Sequence, residues 1–481
     1  MRTSITIAVL LVSITFAFTP NATLTGLADN TAMDLGAYTC NQPVGDASYP
    51  CSNITDYSGL TYDTDNDRML MFGGGHATTM TDALMAFSFT TLTWSALFTS
   101  TPCASMVPSN LDRTNGAWIS GPSGPFPRPV SRHTYDELVA PAGRGEFLVM
   151  AECNGGQSIC PQGFDWSTSD PFFMQARVAH YGFQSGTWSF SATAPGGELP
   201  AGGASYASME FDPVSGKIII LGRFGISTYD PATKVKVRYV RGDWGELADS
   251  AGNKLADGAL NGWCNLVYYP PTQRFYYMDR GYTPLKVWEL QLNRADLTKS
   301  TVTNIVTTGT TPPSNEAGYD YDSKNQIIGG GVAGNTFYAF DPRTKVWTAR
   351  TIQGGAPGTM SFHAMGYDPV NNVFIFITQA KHTWAYRYGN GTGIERCGLR
   401  SIQAPAFSVS PNPFSRGTTI QVAGQAAVIE LFSVGGARLT RWEAKAGESI
   451  RWNAGTLPAG LYFVKAVSGN RETIKPVLLQ K

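Results

Sequence analysis

One unit recurs six times along this chain, and that repeat constrains the fold more than any other feature. The unit is an apolar segment ending in Tyr-Asp or a variant, a turn, an apolar strand running into glycine, a variable loop, a strand ending in an aromatic residue, and a final tryptophan-containing strand. The first copy reads Leu60-Thr61-Tyr62-Asp63, the turn TDND, Arg68 to Phe72 into Gly73-Gly74-Gly75, Leu84 to Phe89, then Trp94. The second carries Thr134-Tyr135-Asp136, Phe147 to Met150, Val178 to Phe183 and Trp188, and the third Met209 to Pro213, Lys217 to Gly222 and Ser227 to Asp230. The fourth has Leu266 to Tyr269, Arg274 to Met278 and Trp288, and the fifth Tyr321-Asp322, Gln326 to Gly331, Thr336 to Asp341 and Trp347. The sixth has Gly366 to Pro369, Val373 to Ile377 and Thr383 to Tyr388. Their aromatic markers at 62, 135, 211, 268, 321 and 367 lie 73, 76, 57, 53 and 46 residues apart.

Each residue type has a physical role at its place. Asp, Asn and Pro in DPVSG, DSKN and DPVNN make the turn between the first two strands, because Asp and Asn accept turn geometry and Pro presets φ. The glycine run lets backbones approach closely, and Trp and Tyr fill the wedge between successive units. A single four-stranded unit cannot bury both of its faces, so several must pack together to make a core.

The segments YDTDNDRMLMFGGG…MAFSFTTLTW and YDSKNQIIGGG…YAFDPRTKVW resemble Kelch-type repeats, over roughly residues 58–400. The resemblance implies an all-β fold: a β-propeller with one four-stranded blade per copy. Six blades are visible. Copy six lacks a clear fourth strand, so residues 18–57 are expected to close the ring by pairing into the last blade; a seventh blade follows if residues 23–57 complete one with Arg400 and its neighbours.

The ends carry addresses. Arg2 precedes the apolar run Ile5 to Phe18, and Thr15-Phe16-Ala17 offers small residues for cleavage, so residues 1–17 read as a signal peptide too short to span a bilayer. From residue 405 to 481 the texture changes to short alternating strands, an immunoglobulin-like β-sandwich. Ser410-Pro411-Asn412-Pro413-Phe414, Gly435-Gly436, Leu457-Pro458-Ala459-Gly460-Leu461-Tyr462 and Lys475-Pro476-Val477-Leu478-Leu479 resemble the type A sorting domain of the type IX secretion system. That resemblance implies passage through the periplasm, the type IX machinery as a partner, and a secreted or outer-membrane cell-surface destination.

Charge excludes one class of partner. The 36 basic and 36 acidic residues cancel, and no basic face for nucleic acid is indicated. Seven cysteines in an exported chain imply disulfides with at least one thiol left over. Proximity suggests Cys153 with Cys160 and Cys40 with Cys51, while Cys103, Cys264 and Cys397 stay unassigned.

In a propeller, the loops after strand two and before strand one ring the mouth of the central pit. The repeat register places His76, Arg223 and Arg280 after strand two, and Arg132, His133, Tyr206, Trp263 and His363 before strand one. Cleaving a uronic-acid polysaccharide by β-elimination needs a cation on the carboxylate, a base for the C5 proton and an acid for the leaving oxygen. Arg223 would neutralise, His133 or His76 would be the base and Tyr206 the acid, with Arg132, Trp263, Arg280 and His363 binding substrate. The set is similar to the His/Tyr/Arg sites of propeller polysaccharide lyases such as ulvan lyases. The competing reading is that these arginines and histidines bond loop carbonyls and the tryptophan packs, leaving a noncatalytic carbohydrate- or protein-binding module. A glycan is the expected partner, with no cofactor, no metal and a monomeric chain.

Other constellations are weaker. Asp63, Asp65 and Asp67 imitate the start of a calcium loop but lack its glycine and closing glutamate. His180-Tyr181 is expected to pack within a strand. No motif picks out the two histidines and two tyrosines that a copper oxidase of the galactose oxidase kind would need, and no nucleophile elbow or phosphate loop is present.

Overall fold

The computed structural model describes residues 18–39, 41, 43–45, 57–73, 81–112, 114–150, 177–191, 207–223, 225–243, 246–248, 251–256, 258–313, 317–389, 406–423, 427–433, 437–468 and 471–480. The chain divides into two compact units, Met1–Gly391 and Thr392–Lys481. Both are all-β, built from small sheets that are antiparallel but for the short segment Thr308–Gly309. The expected signal peptide and both proposed disulfide pairs lie outside the described residues. Cys103 is disulfide-bonded, and Cys264 is a buried free thiol.

Six sheets of the first unit share one meandering order. The first sheet is Thr61–Asp63, Arg68–Phe72, Leu84–Ser88, Thr93–Phe98; the second is Leu138–Val139, Glu146–Val149, Ala179–Gly182, Thr187–Phe190. The third begins with Ala207–Asp212 and Lys217–Gly222, the fourth with Asn265–Tyr269 and Arg274–Asp279, the fifth with Tyr319–Asp322 and Ile327–Ala333. The sixth runs Met360–Asp368, Val373–Thr378, His382–Arg387, and its fourth strand is Thr31–Ala37 from the other end of the chain. Residues at the N-terminus thus cover the edge that the last repeat leaves open, and no seventh sheet of this kind is present among the described residues.

The first strand of each sheet packs against the first strand of the next, and that of the sixth against that of the first. A cavity of about 370 Å³ is lined by residues from all six of these strands, among them Thr61, Val139, Glu210, Leu266, Asp320 and Met365. The surrounding core lies between sheets. Phe72, Phe98, Phe147 and Trp188 join the first to the second, Ile219, Leu247, Phe275 and Trp288 the third to the fourth, and Tyr269, Phe340, Trp347 and Phe374 the fourth to the sixth.

The repeated aspartate is a turn-maker. Asp322 Oδ1 accepts the backbone N–H of Lys324 at 2.8 Å and of Asn325 at 2.9 Å, and its Oδ2 accepts Asn325 Nδ2 at 2.7 Å. Asp368 repeats this with Val370 and Asn371, and Asp63 with Asp65 and Asn66. Aspartates of these hairpins also brace neighbouring sheets: Asp212 takes two bonds of 2.8 Å from Arg294, and Asp65, within the first hairpin, accepts Gly143 and Gly145 N–H at 2.7 Å. The calcium-like aspartates are therefore spent on protein donors, Asp67 on the Tyr62 hydroxyl. Close approach by glycine is also seen. Gly330, at φ 156°, passes so near Gly318 that a Cβ would stand 2.1 Å from the carbonyl oxygen.

Two assignments of register differ from the sequence reading. The residue paired like Tyr62 in the second sheet is Ala140, because Leu148 pairs with Val139 and Val149 with Leu138. Tyr135-Asp136 precedes that strand, displaced by the Ala140-to-Gly145 hairpin, which has no aspartate. In the fourth sheet Trp288 lies on the third strand, and Thr301–Ile305 forms the last.

The second unit pairs a three-stranded sheet, Ala406–Ser410, Gly417–Ala423 and Ser449–Asn453, with a four-stranded one, Arg438–Ala444, Ala427–Ser433, Gly460–Ser468 and Arg471–Leu479. Phe407, Phe414, Ile429, Leu431, Trp452 and Val464 fill the space between them.

Candidate functional site

At the end of the cavity where first strands begin, four bulky residues adopt a left-handed backbone: Tyr57 at φ 60°, Tyr135 at 42°, Trp263 at 57° and His363 at 53°. Most other non-glycine residues of this kind are turn residues such as Asp67, Gln326 and Asn372. A left-handed aromatic residue costs of order 1–3 kcal/mol, and such strain clusters where side chains must be aimed. Tyr57, Tyr135 and Trp263 come from the approaches to the first, second and fourth sheets and His363 from the first strand of the sixth, and they converge. The Tyr135 ring stands 5.5 Å from Tyr57, 6.3 Å from Trp263 and 5.5 Å from His363, perpendicular to the last. Tyr57 stacks on Phe362 at 4.3 Å and on His133 at 5.3 Å.

Two guanidinium groups join this aromatic patch. Arg223 and Arg280 lie 6.0 and 5.3 Å from the Trp263 ring, within the range of cation–π attraction. Arg280 Nε also donates to the Trp263 carbonyl at 3.1 Å, and Arg223 Nη2 lies 3.5 Å from Asn261 Oδ1. Tyr57, Trp263, Phe362, Arg223 and Arg280 are half-buried, whereas His133, Tyr135 and His363 are buried beneath. Burial, with Arg280 nearby, lowers the His363 pKa to about 3, so its imidazole is neutral at physiological pH.

Asp136 and Asn265 stand under His363. The Asp136 carboxylate accepts Leu266 N–H at 2.7 Å and Asn265 Nδ2 at 2.8 Å, and Asn265 Oδ1 lies 3.2 Å from His363 Nδ1. Deeper in the cavity, Asp320 accepts Tyr367 and Tyr321 N–H at 2.6 Å, and Glu210 accepts Phe211 N–H. These carboxylates satisfy inner backbone donors. Burial pushes the carboxyl groups of Asp136 and Glu210 well up and that of Asp320 to about 6.

Of the residues expected at the mouth, the structure brings together His133, Arg223, Trp263, Arg280 and His363. Arg132 departs from its expected role. Buried, it donates to the carbonyls of Met150 at 2.8 Å, Val130 at 3.2 Å and Gly116 at 3.4 Å, which makes it a loop clamp. His76 and Tyr206 lie outside the described residues. Sequence reasoning missed Tyr57, Phe362, Asp136 and Asn265; only the displaced register of Tyr135-Asp136, a pair counted as a hairpin marker, hinted at them. His180 is a packing residue as expected, its Nδ1 2.8 Å from Glu146 Oε2 and its Nε2 on the Tyr229 hydroxyl. No group of three or more His, Cys, Asp or Glu suited to a metal occurs among the described residues.

Residues 408–480 match the model of the secretion system C-terminal sorting domain. The protein is therefore a cargo of type IX secretion, delivered to the cell surface or outside. Among the described residues no helix is long and apolar enough to cross a membrane. No curated protein sequence matches the chain.

Among solved structures, a fungal alcohol oxidase in complex with copper is 12% identical, over 88% of this chain and 85% of that one, at a TM-score of 0.41. A protein of unknown function from Bacteroides thetaiotaomicron is 10% identical, over 74% and 75%, at 0.42. At such scores neither likeness carries fold or activity to this chain.

Proposed function

We propose that the first unit is a six-bladed β-propeller that binds an acidic glycan at the mouth formed by Trp263, Arg223, Arg280, Tyr57 and Phe362. Support for the ring comes from the cyclic packing of the six first strands, their shared cavity and the N-terminal strand in the sixth sheet. The observation that carries the ligand class is the pair of arginines beside a half-buried tryptophan. A tryptophan face stacks on the apolar face of a sugar ring, and guanidinium groups bond carboxylate or sulfate oxygens in pairs. Export to the cell surface or outside puts the mouth where extracellular polysaccharide is met.

Cleavage by β-elimination is the second reading. Arg223 and Arg280 would neutralise the uronate, His133 or His363 would take the C5 proton, and as the C4–C5 double bond forms and the C4–O bond breaks that proton would pass to the leaving oxygen. Against it stand the burial of His133, at 4% exposure, and the low pKa of His363, about 3, which makes it a weak base; both favour a binding module.

One experiment separates the two. The full-length protein is incubated with alginate, polygalacturonate and hyaluronate, and both retention on the immobilised polymers and the absorbance of unsaturated uronate are followed. Retention with a flat absorbance trace supports binding alone. Rising absorbance that disappears in Arg223→Ala supports the lyase. No retention on any acidic polymer overturns the glycan reading.

A further inference from the structure

A buried chain of hydrogen bonds fixes the chemical character of His363. Asp136 receives two N–H donors, from Leu266 and from Asn265 Nδ2. Asn265 therefore turns its amide nitrogen toward Asp136 and its oxygen away. That oxygen meets His363 Nδ1 at 3.2 Å, which therefore carries the ring proton. A neutral imidazole has one N–H, so Nε2 is left as a bare lone pair. Among the described residues no group donates to this buried atom, and a buried polar atom without a partner is uncommon enough to need a reason. His363 also holds one of the four left-handed backbones at the mouth. Its chain neighbour Phe362 and its electrostatic neighbour Arg280 are both half-exposed, so the ligand surface lies one side chain away.

We propose that His363 Nε2 is the hydrogen-bond acceptor for a hydroxyl group of the anionic ligand, and that Asp136 and Asn265 are the positioning residues that keep it an acceptor. The inference rests on the mouth being a glycan site and narrows the ligand class. Carboxylate, sulfate and ionised phosphate oxygens only accept, so they cannot satisfy a lone pair. The arginines take the anion and His363 takes an O–H, which selects a uronate with a free ring hydroxyl over a fully substituted polyanion.

The first test needs no ligand. In full-length protein labelled with ¹⁵N-histidine, the His363 signals, assigned by their loss in His363→Gln, should show Nδ1 protonated and Nε2 bare. In Asp136→Asn the new amide can turn its N–H toward Asn265 Oδ1, which lets Asn265 turn over and should shift His363 toward the Nε2–H tautomer. An Nε2–H tautomer in the wild type, or no shift in a folded Asp136→Asn, overturns the positioning roles.

The second test compares a galacturonate hexamer with the same hexamer methylated at its ring hydroxyls, its carboxylates kept. Loss of one hydrogen bond to a buried group should weaken wild-type binding about tenfold. In Asp136→Asn the free hexamer should bind about tenfold more weakly, while the methylated one is unchanged. Equal wild-type affinities for the two hexamers overturn the inference and leave the glycan reading standing. Failure of the wild type to bind either hexamer overturns the ligand assignment of both. The wild-type comparison requires no variant to fold.

Discussion

Removing Arg294 should destabilise the first unit most at neutral pH and least in acid. Arg294 follows the third strand of the fourth sheet, and its guanidinium gives Asp212, at the hairpin of the third, two charge-assisted bonds of 2.8 Å. The Asp212 carboxylate is fully buried, whereas Arg294 is 22% exposed. Breaking a buried pair by deleting one partner costs about 3–5 kcal/mol, because a charge is left without compensation. Asp212 would keep the Ser215 hydroxyl at 2.6 Å and Val214 N–H at 3.3 Å, so Arg294→Ala should cost less, about 2–3 kcal/mol at pH 7.

The pH dependence has a fixed sign. The bonds from Arg294 and Ser215 outweigh burial and hold the folded-state pKa of Asp212 below its ordinary value. Its stabilising contribution is present above the unfolded carboxylate pKa of about 3.9 and is lost as pH falls through the folded value. Urea unfolding followed by tryptophan fluorescence measures this, since nine of the eleven tryptophans lie in the first unit. The Arg294→Ala penalty should shrink below about pH 4, where the unpaired Asp212 is neutral. A penalty under about 0.5 kcal/mol at pH 7, the size of an ordinary surface change, or one that persists unchanged in acid, would refute the reasoning.

Three further outcomes follow from the same geometry. Ala32→Pro deletes the N–H by which the closing strand donates to the Gln353 carbonyl at 2.8 Å, just past the fifth sheet, and should cost about 3 kcal/mol in thermal unfolding; an unchanged midpoint would mean that this link between the closing strand and the fifth sheet carries no stability. Gly330→Ala forces a Cβ to 2.1 Å from the Gly318 carbonyl oxygen and should lower the yield of folded protein sharply, whereas Gly334→Ala, with open space around it, should cost only the roughly 1 kcal/mol of a left-handed backbone. Trp263→Ala should leave secretion intact, because the sorting unit is a separate domain, yet weaken binding to acidic polysaccharide by about tenfold, in line with a lost stacking anchor; full retention would remove the tryptophan from the site.

The body's strand content and repeat are legible in the sequence because the Tyr-Asp marker acts locally, through an aspartate whose side chain closes the hairpin that follows it, as at Asp63, Asp322 and Asp368. Where the hairpin is made otherwise, with Pro141, Gly143 and Gly145, the marker falls on Tyr135-Asp136, and the second sheet slips by five residues. That slip hides the most informative part of the site. Tyr135 and Asp136 are mouth and cavity residues, and their contacts with Tyr57, His363 and Asn265 join positions as far apart as 57 and 363, which no local pattern encodes. The grouping of Arg223, Arg280, Trp263 and His363 is legible because all four sit at fixed offsets from strands whose register is right. Arg132 takes its place from the slipped second sheet, and its side chain turns inward to loop carbonyls, which only packing decides.

The most direct test of the acidic-glycan mouth is calorimetric titration of a polyuronate oligosaccharide into wild-type protein and into Arg223→Gln/Arg280→Gln at two salt concentrations. Two arginines that hold the anion predict a loss of at least tenfold in affinity and a shallower salt dependence in the double variant. Equal affinity and equal salt dependence would place the anion elsewhere and contradict the account.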